Sequence, residues 1–217
     1  MSDPRSYDAL IDRLSTDLVP VRRLRPPAVR TAGWLLLVAV VAVVLVMHFG
    51  LGGMTLRFAN TPDLAWAAVG ALATAITAAW AAFALSVPGR GTALAWLPLP
   101  AALLWIGASG LGCLRQWIAP GTQISTAHQS ADCLVFIIGF SVPLSIAMVM
   151  LLRRAYPVRP ILTAVMVGLA SAAASASLLE ICHAYDATAT DLLSHVLAVG
   201  VVVAVNAAMG GRLLTKG

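Results

Sequence analysis

Six long apolar runs are the dominant feature of this sequence. The runs are residues 32–51, 64–86, 92–112, 133–152, 160–179 and 192–211. A helix needs about 20 apolar residues to cross the hydrocarbon core of a bilayer, and each run is about that long. Only short polar segments separate the runs, so consecutive helices are expected to be antiparallel neighbours. The pattern therefore predicts an all-α membrane protein with six transmembrane helices and short loops.

The segment before the first apolar run has a different pattern, because residues 3–18 predict one short amphipathic helix. Its apolar stripe consists of Tyr7, Leu10, Ile11, Leu14 and Leu18, which follow helical spacing. Pro20 cannot continue this helix. A single helix of this length is marginal in water, so the stripe must rest on the membrane surface, on the protein's own loops or on a partner. We therefore divide the chain into a head, residues 1–30, and a six-helix transmembrane domain, residues 31–217.

Arginines next to the apolar runs predict how the chain is oriented in the membrane. The head ends in a basic stretch that contains Arg22, Arg23, Arg25 and Arg30. Positive residues next to spanning helices are kept on the cytoplasmic side. In a six-span topology only Arg57 and Arg115 fall on the opposite side. We therefore expect both termini to lie in the cytoplasm. The predicted span ends also carry tryptophans suited to the membrane interface: Trp34, Trp66, Trp96 and Trp117.

Composition excludes several classes of function. The chain is 60% hydrophobic and only 11% charged, whereas soluble domains carry about 25% charged residues. The net charge of +5 does not indicate nucleic-acid binding, because the arginines form no basic face interleaved with aromatic residues. The sequence contains no nucleophile–base pair, nucleotide-binding loop or His-Glu-x-x-His motif, so we do not expect an enzyme.

A small multi-pass channel or carrier, or a haem–quinone protein, is the alternative class of function. His48 and His195 lie within predicted spans, and paired histidines serve as axial ligands of haem. Hydrogen bonds between helices explain two histidines more simply. No predicted span has a charged residue near its middle, which argues against a transporter without excluding one. The roles of both histidines stay open.

Cysteines carry the most informative candidate chemistry. They are Cys113, Cys133 and Cys182, and all fall at the predicted outer membrane edge. A close pair could form a disulfide in the oxidising periplasm. Thiolate and imidazole also suit zinc or cadmium, and His128, Asp132 and His183 lie near two of the cysteines. Each cysteine could instead be a small hydrophobic residue at the end of a span. The sequence leaves disulfide and metal both open, and it implies no obligatory cofactor.

Three segments together carry a resemblance to a known family. They are the Asp17–Leu24 motif (DLVPVRRL), the Leu151–Pro160 turn (LLRRAYPVRP) and the stretch from His195 to Leu214. With six spans in this order, the chain resembles the NrsF-type membrane anti-sigma factors. The resemblance implies that the cytoplasmic portion retains an extracytoplasmic-function sigma factor at the bacterial inner membrane. It also implies that Cys133 and Cys182 respond to heavy-metal or oxidative stress, with Cys113 as an extra cysteine.

The head is the expected sigma-binding element. An amphipathic helix that docks in a groove of the partner would account for its apolar stripe. The expected partner-binding residues are Leu10, Leu14, Asp17, Leu18, Pro20, Val21, Arg23 and Leu24. Membrane anchoring would also explain Arg23 and Leu24, and the stripe could lie on the lipid surface instead.

Overall fold

Helices account for nearly all of the described structure. The computed structural model describes residues 4–16, 23–118, 127–155, 157–182 and 189–215. The α-helices are α1 (Pro4–Thr16), α2 (Pro27–Phe49), α3 (Gly52–Asn60), α4 (Pro62–Leu85), α5 (Leu99–Ile118), α6 (Ala127–Arg153), α7 (Pro160–Cys182) and α8 (Ala189–Thr215). A short 3-10 helix, Thr92–Trp96, precedes α5. These segments contain no strand, which confirms the predicted all-α class.

Six of the described helical stretches are long and apolar enough to cross a membrane. They are Pro27–Phe49, Pro62–Leu85, Thr92–Leu114, Ala131–Arg153, Pro160–Cys182 and Leu192–Arg212. The six predicted spans are thereby confirmed as helices. This is the pattern of a multi-pass membrane protein. The first span begins at Pro27 rather than at residue 32, because proline suits the first position of a helix and needs no N–H partner there.

The short helix α3 was not predicted. Gly50 ends α2 with a φ of 74°, a left-handed conformation that glycine adopts without a steric penalty. The chain then turns into α3 before Pro62 opens α4. The sequence pattern left these residues between two apolar runs, because a segment of nine residues is too short to span a bilayer.

The helix bundle has two ends, a head end and a cysteine end. At the head end, α2 begins at Pro27 and α6 ends at Arg153. At the cysteine end, α2 ends at Phe49 and α7 ends at Cys182. Consecutive spans run in opposite directions between these two ends. The helix α1 precedes the bundle at the head end.

The helix α7 lies at the centre of the bundle. It packs against α2, α4, α6 and α8. Small residues line much of its surface, and Gly168, Ser171, Ala172, Ser175 and Ala176 are all buried. A Cβ atom on Gly168 would lie 2.8 Å from the Cα atom of Val203 on α8. Small side chains therefore let the backbones approach closely, as expected for packing between membrane helices.

Trp34 contradicts the predicted interfacial placement of the tryptophans. Only 1% of its surface is exposed, and its indole N–H donates to the carbonyl of Leu144 at 3.1 Å. Trp66 and Trp96 are exposed as expected, and the side chain of Trp117 lies outside the described residues. Buried indole N–H groups need an acceptor. The α6 backbone supplies one to Trp34, and this draws the ring into the core.

Candidate functional site

The apolar stripe of α1 is accessible in the structure. Tyr7, Leu10, Ile11 and Leu14 are all more than half exposed, and 62% of the surface of Leu14 is accessible. The opposite side of α1 carries Asp8 and Asp12, which are also exposed. Exposed leucines at helical spacing beside a polar face form a surface that another apolar surface can cover.

The remaining predicted partner-binding residues follow α1. Arg23 and Leu24 are exposed in the irregular segment that precedes α2. Asp17, Leu18, Pro20 and Val21 lie outside the described residues. Of the eight predicted partner-binding residues, the described structure thus places Leu10, Leu14, Arg23 and Leu24, and it leaves all four accessible.

At the cysteine end, the structure brings the ends of α6 and α7 together around Cys133. Cys133 is 3% exposed and belongs to a small apolar cluster. The other members of that cluster are Ile137, Ala176, Leu179 and Ala198. Leu179 lies three residues before Cys182, which is a rise of about 4.5 Å along a helix. The two cysteines therefore lie near the ends of two helices that pack together. Their side chains have different surroundings, because Cys182 packs against the main core of the bundle and not in the cluster of Cys133.

All three cysteines are thiols in this structure. Cys182 is partly buried at the last position of α7, with its sulfur 4.0 Å from the carbonyl oxygen of Leu178. Cys113 is partly buried on α5, whose main neighbours are α4 and α8. Cys113 is thus carried by a helix different from the pair that holds Cys133 and Cys182.

The predicted metal-ligand set is only partly within the described structure. Asp132 is exposed beside Cys133 at the start of the fourth span. The side chain of His128 and the whole of His183 lie outside the described residues. Among the side chains that are described, no three of His, Cys, Asp and Glu come together as a ligand group. A zinc or cadmium site at Cys133 and Cys182 therefore stays a prediction that depends on His128 and His183.

Arg57 forms a contact at the cysteine end that the sequence analysis did not anticipate. This arginine of α3 is 8% exposed. One of its Nη2 hydrogen bonds goes to the carbonyl oxygen of Glu180 at 2.6 Å, and the Glu180 carboxylate lies 3.4 Å from the same nitrogen. Carbonyls in the last turn of a helix have no donor within the helix, so Arg57 caps α7 two residues before Cys182.

A second buried arginine, Arg30, occupies the head end. One Nη1–H donates to the Ser86 hydroxyl at 3.2 Å, and one Nη2–H donates to the carbonyl of Leu151 at 2.5 Å. The guanidinium carbon also lies 4.7 Å from the centre of the Phe83 ring. We call this set of contacts the Arg30 clip; it joins α2 to α4 and α6. Sequence reasoning gave Arg30 only an orienting charge, because its acceptors are 56 and 121 residues away.

Comparison with known proteins identifies the family. Residues 14–215 match the family described as "Negative regulator of sigma F", abbreviated NrsF. The chain belongs to the NrsF family. No curated protein and no solved structure matches this NrsF chain. The resemblance seen in the sequence is therefore confirmed, and the family description points to a sigma factor as the regulated partner.

The NrsF match covers most of the features described above. It includes both cysteines of the α6–α7 pair, the Arg30 clip and the contact between Arg57 and Glu180. It begins at Leu14, so only the last part of α1 falls within it. The rest of the exposed apolar stripe, including Leu10, precedes the matched region. The match therefore supports the membrane bundle and the DLVPVRRL motif more directly than it supports the stripe.

Proposed function

We propose that this NrsF chain is a membrane anti-sigma factor that holds an extracytoplasmic-function sigma factor through its head. The bundle would lie in the bacterial inner membrane with the head end and both termini in the cytoplasm. The head, residues 1–30, and the transmembrane domain, residues 31–217, would be connected through the first turn of α2. The family description, a negative regulator of sigma F, supports the class of partner.

The exposed stripe of α1 is the observation that carries this proposal. Leu10, Ile11 and Leu14 face solvent on a helix too short to be stable alone. Each such side chain gains about 1.5–3 kcal/mol when it is fully buried. A groove on the sigma factor that accepts this stripe would stabilise the helix and the complex together. In a channel or a haem–quinone protein the stripe would have only the membrane surface to cover it, whereas an anti-sigma factor provides a protein partner.

Cys133 and Cys182 are the proposed response element. Hydrogen peroxide would oxidise the two thiols to a disulfide with release of two water molecules. This requires the Cα atoms to approach within about 7 Å. Cadmium or zinc would instead bind two thiolates, with His128, Asp132 or His183 completing the ligand set. Either event ties the ends of α6 and α7 together and biases their packing. No cofactor is needed in the resting state, and direct DNA binding has no part in the mechanism.

Capture of the sigma factor by the full-length protein in membranes tests the proposal. Wild-type protein, solubilised from membranes, should co-purify with one sigma factor of the extracytoplasmic-function class. Leu14→Asp should abolish capture, because docking would bury an unpaired carboxylate. The matched control is Ala9→Asp, which adds the same charge to the exposed polar side of α1 and should capture normally. Equal capture by the two variants, at equal protein level, would mean that the stripe is not the binding element.

A further inference from the structure

Arg30 does more in this structure than an orienting charge requires. Arg30 is only 7% exposed, whereas Arg23 and Arg25 are exposed and suffice as positive charges near the membrane edge. Burying a charged group is costly unless its donors find acceptors. The Ser86 hydroxyl and the Leu151 carbonyl accept from Arg30, and the Phe83 ring lies beside its guanidinium. A charge that serves only orientation does not need acceptors on two other helices.

The Arg30 clip joins the head to the helix that carries Cys133. The acceptor Leu151 lies in the last turn of α6, and Cys133 lies near the other end of the same helix. Residues 133 and 151 are separated by about 27 Å along a helix. A second bond links α2 to α6 nearby, from the indole of Trp34 to the carbonyl of Leu144. A displacement of α6 at its cysteine end that moves the whole helix would therefore change both bonds to α2.

The path from the clip to the head is short and stiff. Arg30 lies in the first turn of α2, where its own N–H and that of Val29 bond to the carbonyl of Pro26. Pro26 and Pro27 have restricted φ angles, and each proline restricts the residue before it. The direction in which the chain leaves α2 toward the head is therefore tied to the orientation of the helix itself. A shift of the first turn of α2 redirects the segment that contains Arg23 and Leu24.

We propose that Arg30 is the positioning residue through which the state of the cysteine end controls the head. With the clip closed, the head is held in the arrangement that retains the sigma factor. When Cys133 and Cys182 are tied together, α6 shifts, the clip opens and retention weakens. This inference rests on the proposed function and adds the element that carries its signal.

Charge-conserving substitution separates the clip from the orienting charge. Arg30→Lys keeps the positive charge but cannot donate to Ser86 and Leu151 at once in the fork geometry of a guanidinium. We expect Arg30→Lys and Arg30→Gln to raise sigma-dependent transcription at least about fivefold without any inducer, the lower bound for a typical allosteric coupling. The matched controls are Arg25→Lys and Arg25→Gln on the exposed neighbouring arginine, which should leave transcription unchanged. Adding Cys133→Ser to Arg30→Lys should not restore retention, because the lesion lies beyond the cysteines.

Each result of this experiment decides the proposal. If Arg30→Lys retains the sigma factor and responds to cadmium chloride as the wild type does, Arg30 is only an orienting charge and the proposal is wrong. If an Arg30 variant fails to accumulate in the membrane, Ser86→Ala replaces it, because it removes one acceptor with little change in size. Normal retention and normal induction in Ser86→Ala would then overturn the proposal.

A measurement without the sigma factor distinguishes failure of the clip from failure of the proposed function. Hydrogen–deuterium exchange of full-length protein in lipid nanodiscs reports the clip directly. Hydrogen peroxide or cadmium chloride should speed amide exchange in residues 27–33 and 149–153 of the wild type, but not of the Cys133→Ser, Cys182→Ser variant. Unchanged exchange in the wild type overturns the inference even if the sigma factor is captured. Accelerated exchange without any capture of a sigma factor would support the role of the Arg30 clip but refute the proposed function.

Discussion

Two arginines show how single polar residues organise an otherwise apolar bundle. Arg30 donates to a carbonyl in the last turn of α6, and Arg57 donates to a carbonyl in the last turn of α7. These two helices are antiparallel, so the caps lie at opposite ends of the bundle. Each arginine replaces the donor that a helix cannot provide for its own final carbonyls. The continuous stretch from α2 to α3 therefore holds the α6–α7 pair at both ends.

The cysteines give a prediction at the scale of single residues. Cys133→Ser and Cys182→Ser should each weaken induction of the sigma regulon by cadmium or hydrogen peroxide, and the double variant should be no worse than either. The reason is that a tie between α6 and α7 needs both sulfurs. A reporter driven by a sigma-dependent promoter measures this response.

Cys113→Ser is the matched control for the cysteine prediction. It removes the same thiol from α5, a helix outside the α6–α7 pair, and its induction should be close to that of the wild type. A full response in the double Cys133→Ser, Cys182→Ser protein would show that these thiols only fill space at the cysteine end.

Helices pack in this protein according to where small residues allow their backbones to meet. A Cβ on Gly70 would lie 2.5 Å from the backbone nitrogen of Trp105, and a Cβ on Gly210 would lie 2.6 Å from the Cβ of Ala164. These two glycines and Gly168 mark the α4–α5 and α7–α8 contacts. Without a strong hydrophobic driving force between helices in lipid, such close approach supplies the packing energy.

Gly168, at the α7–α8 contact, and Gly200, an exposed glycine of α8, give predictions of opposite sign. Gly168→Ala should destabilise the bundle by about 1–3 kcal/mol, because the new methyl group collides with the α8 backbone. Gly200→Ala should be neutral or stabilising, since its Cβ meets nothing within 4 Å and alanine is the better helix former by about 1 kcal/mol. Thermal unfolding in detergent, followed by circular dichroism, compares the two. A lower midpoint for Gly200→Ala than for Gly168→Ala would contradict the packing described for α7 and α8.

The distribution of charge describes the molecule as a whole. Exposed arginines accumulate at the head end, including Arg23, Arg25, Arg90, Arg153 and Arg154. At the cysteine end Arg57 is buried against Glu180, so it adds little exposed positive charge. Among the arginines whose side chains the structure describes, the exposed ones are therefore concentrated at the head end. By the positive-inside rule this distribution supports the proposed orientation, with the head end in the cytoplasm.

Thiol labelling in intact cells tests this orientation. In a variant with the native cysteines replaced by serine, a membrane-impermeant maleimide should label Gly53→Cys on α3 once the outer membrane is permeabilised. It should label Arg90→Cys only after the inner membrane is opened. Both positions are exposed, and a Cβ on Gly53 meets nothing within 4 Å, so both thiols are reachable. The reverse order of labelling would invert the topology and remove the head from the sigma factor's compartment.

Local patterns in the sequence were enough to predict the class, the spans and the family of this protein. The thickness of a bilayer fixes the length of a spanning helix, so six apolar runs are readable without any tertiary information. The DLVPVRRL motif and the order of the later segments identified the NrsF family, and the stripe of Leu10 and Leu14 was visible from helical spacing. These features are local in the chain, which is why a pattern of residues reveals them.

Which polar groups meet inside the bundle depends on how the helices pack, and local patterns do not reveal it. The partners of Arg30, Trp34 and Arg57 lie between 56 and 123 residues away along the chain. Local spacing does not encode such pairings, because they depend on which faces of which helices come together. For the same reason the sequence assigned Trp34 to the interface and gave Arg30 no more than a charge. Packing around α7 set the acceptors, and with them the connection between the head and the cysteine end.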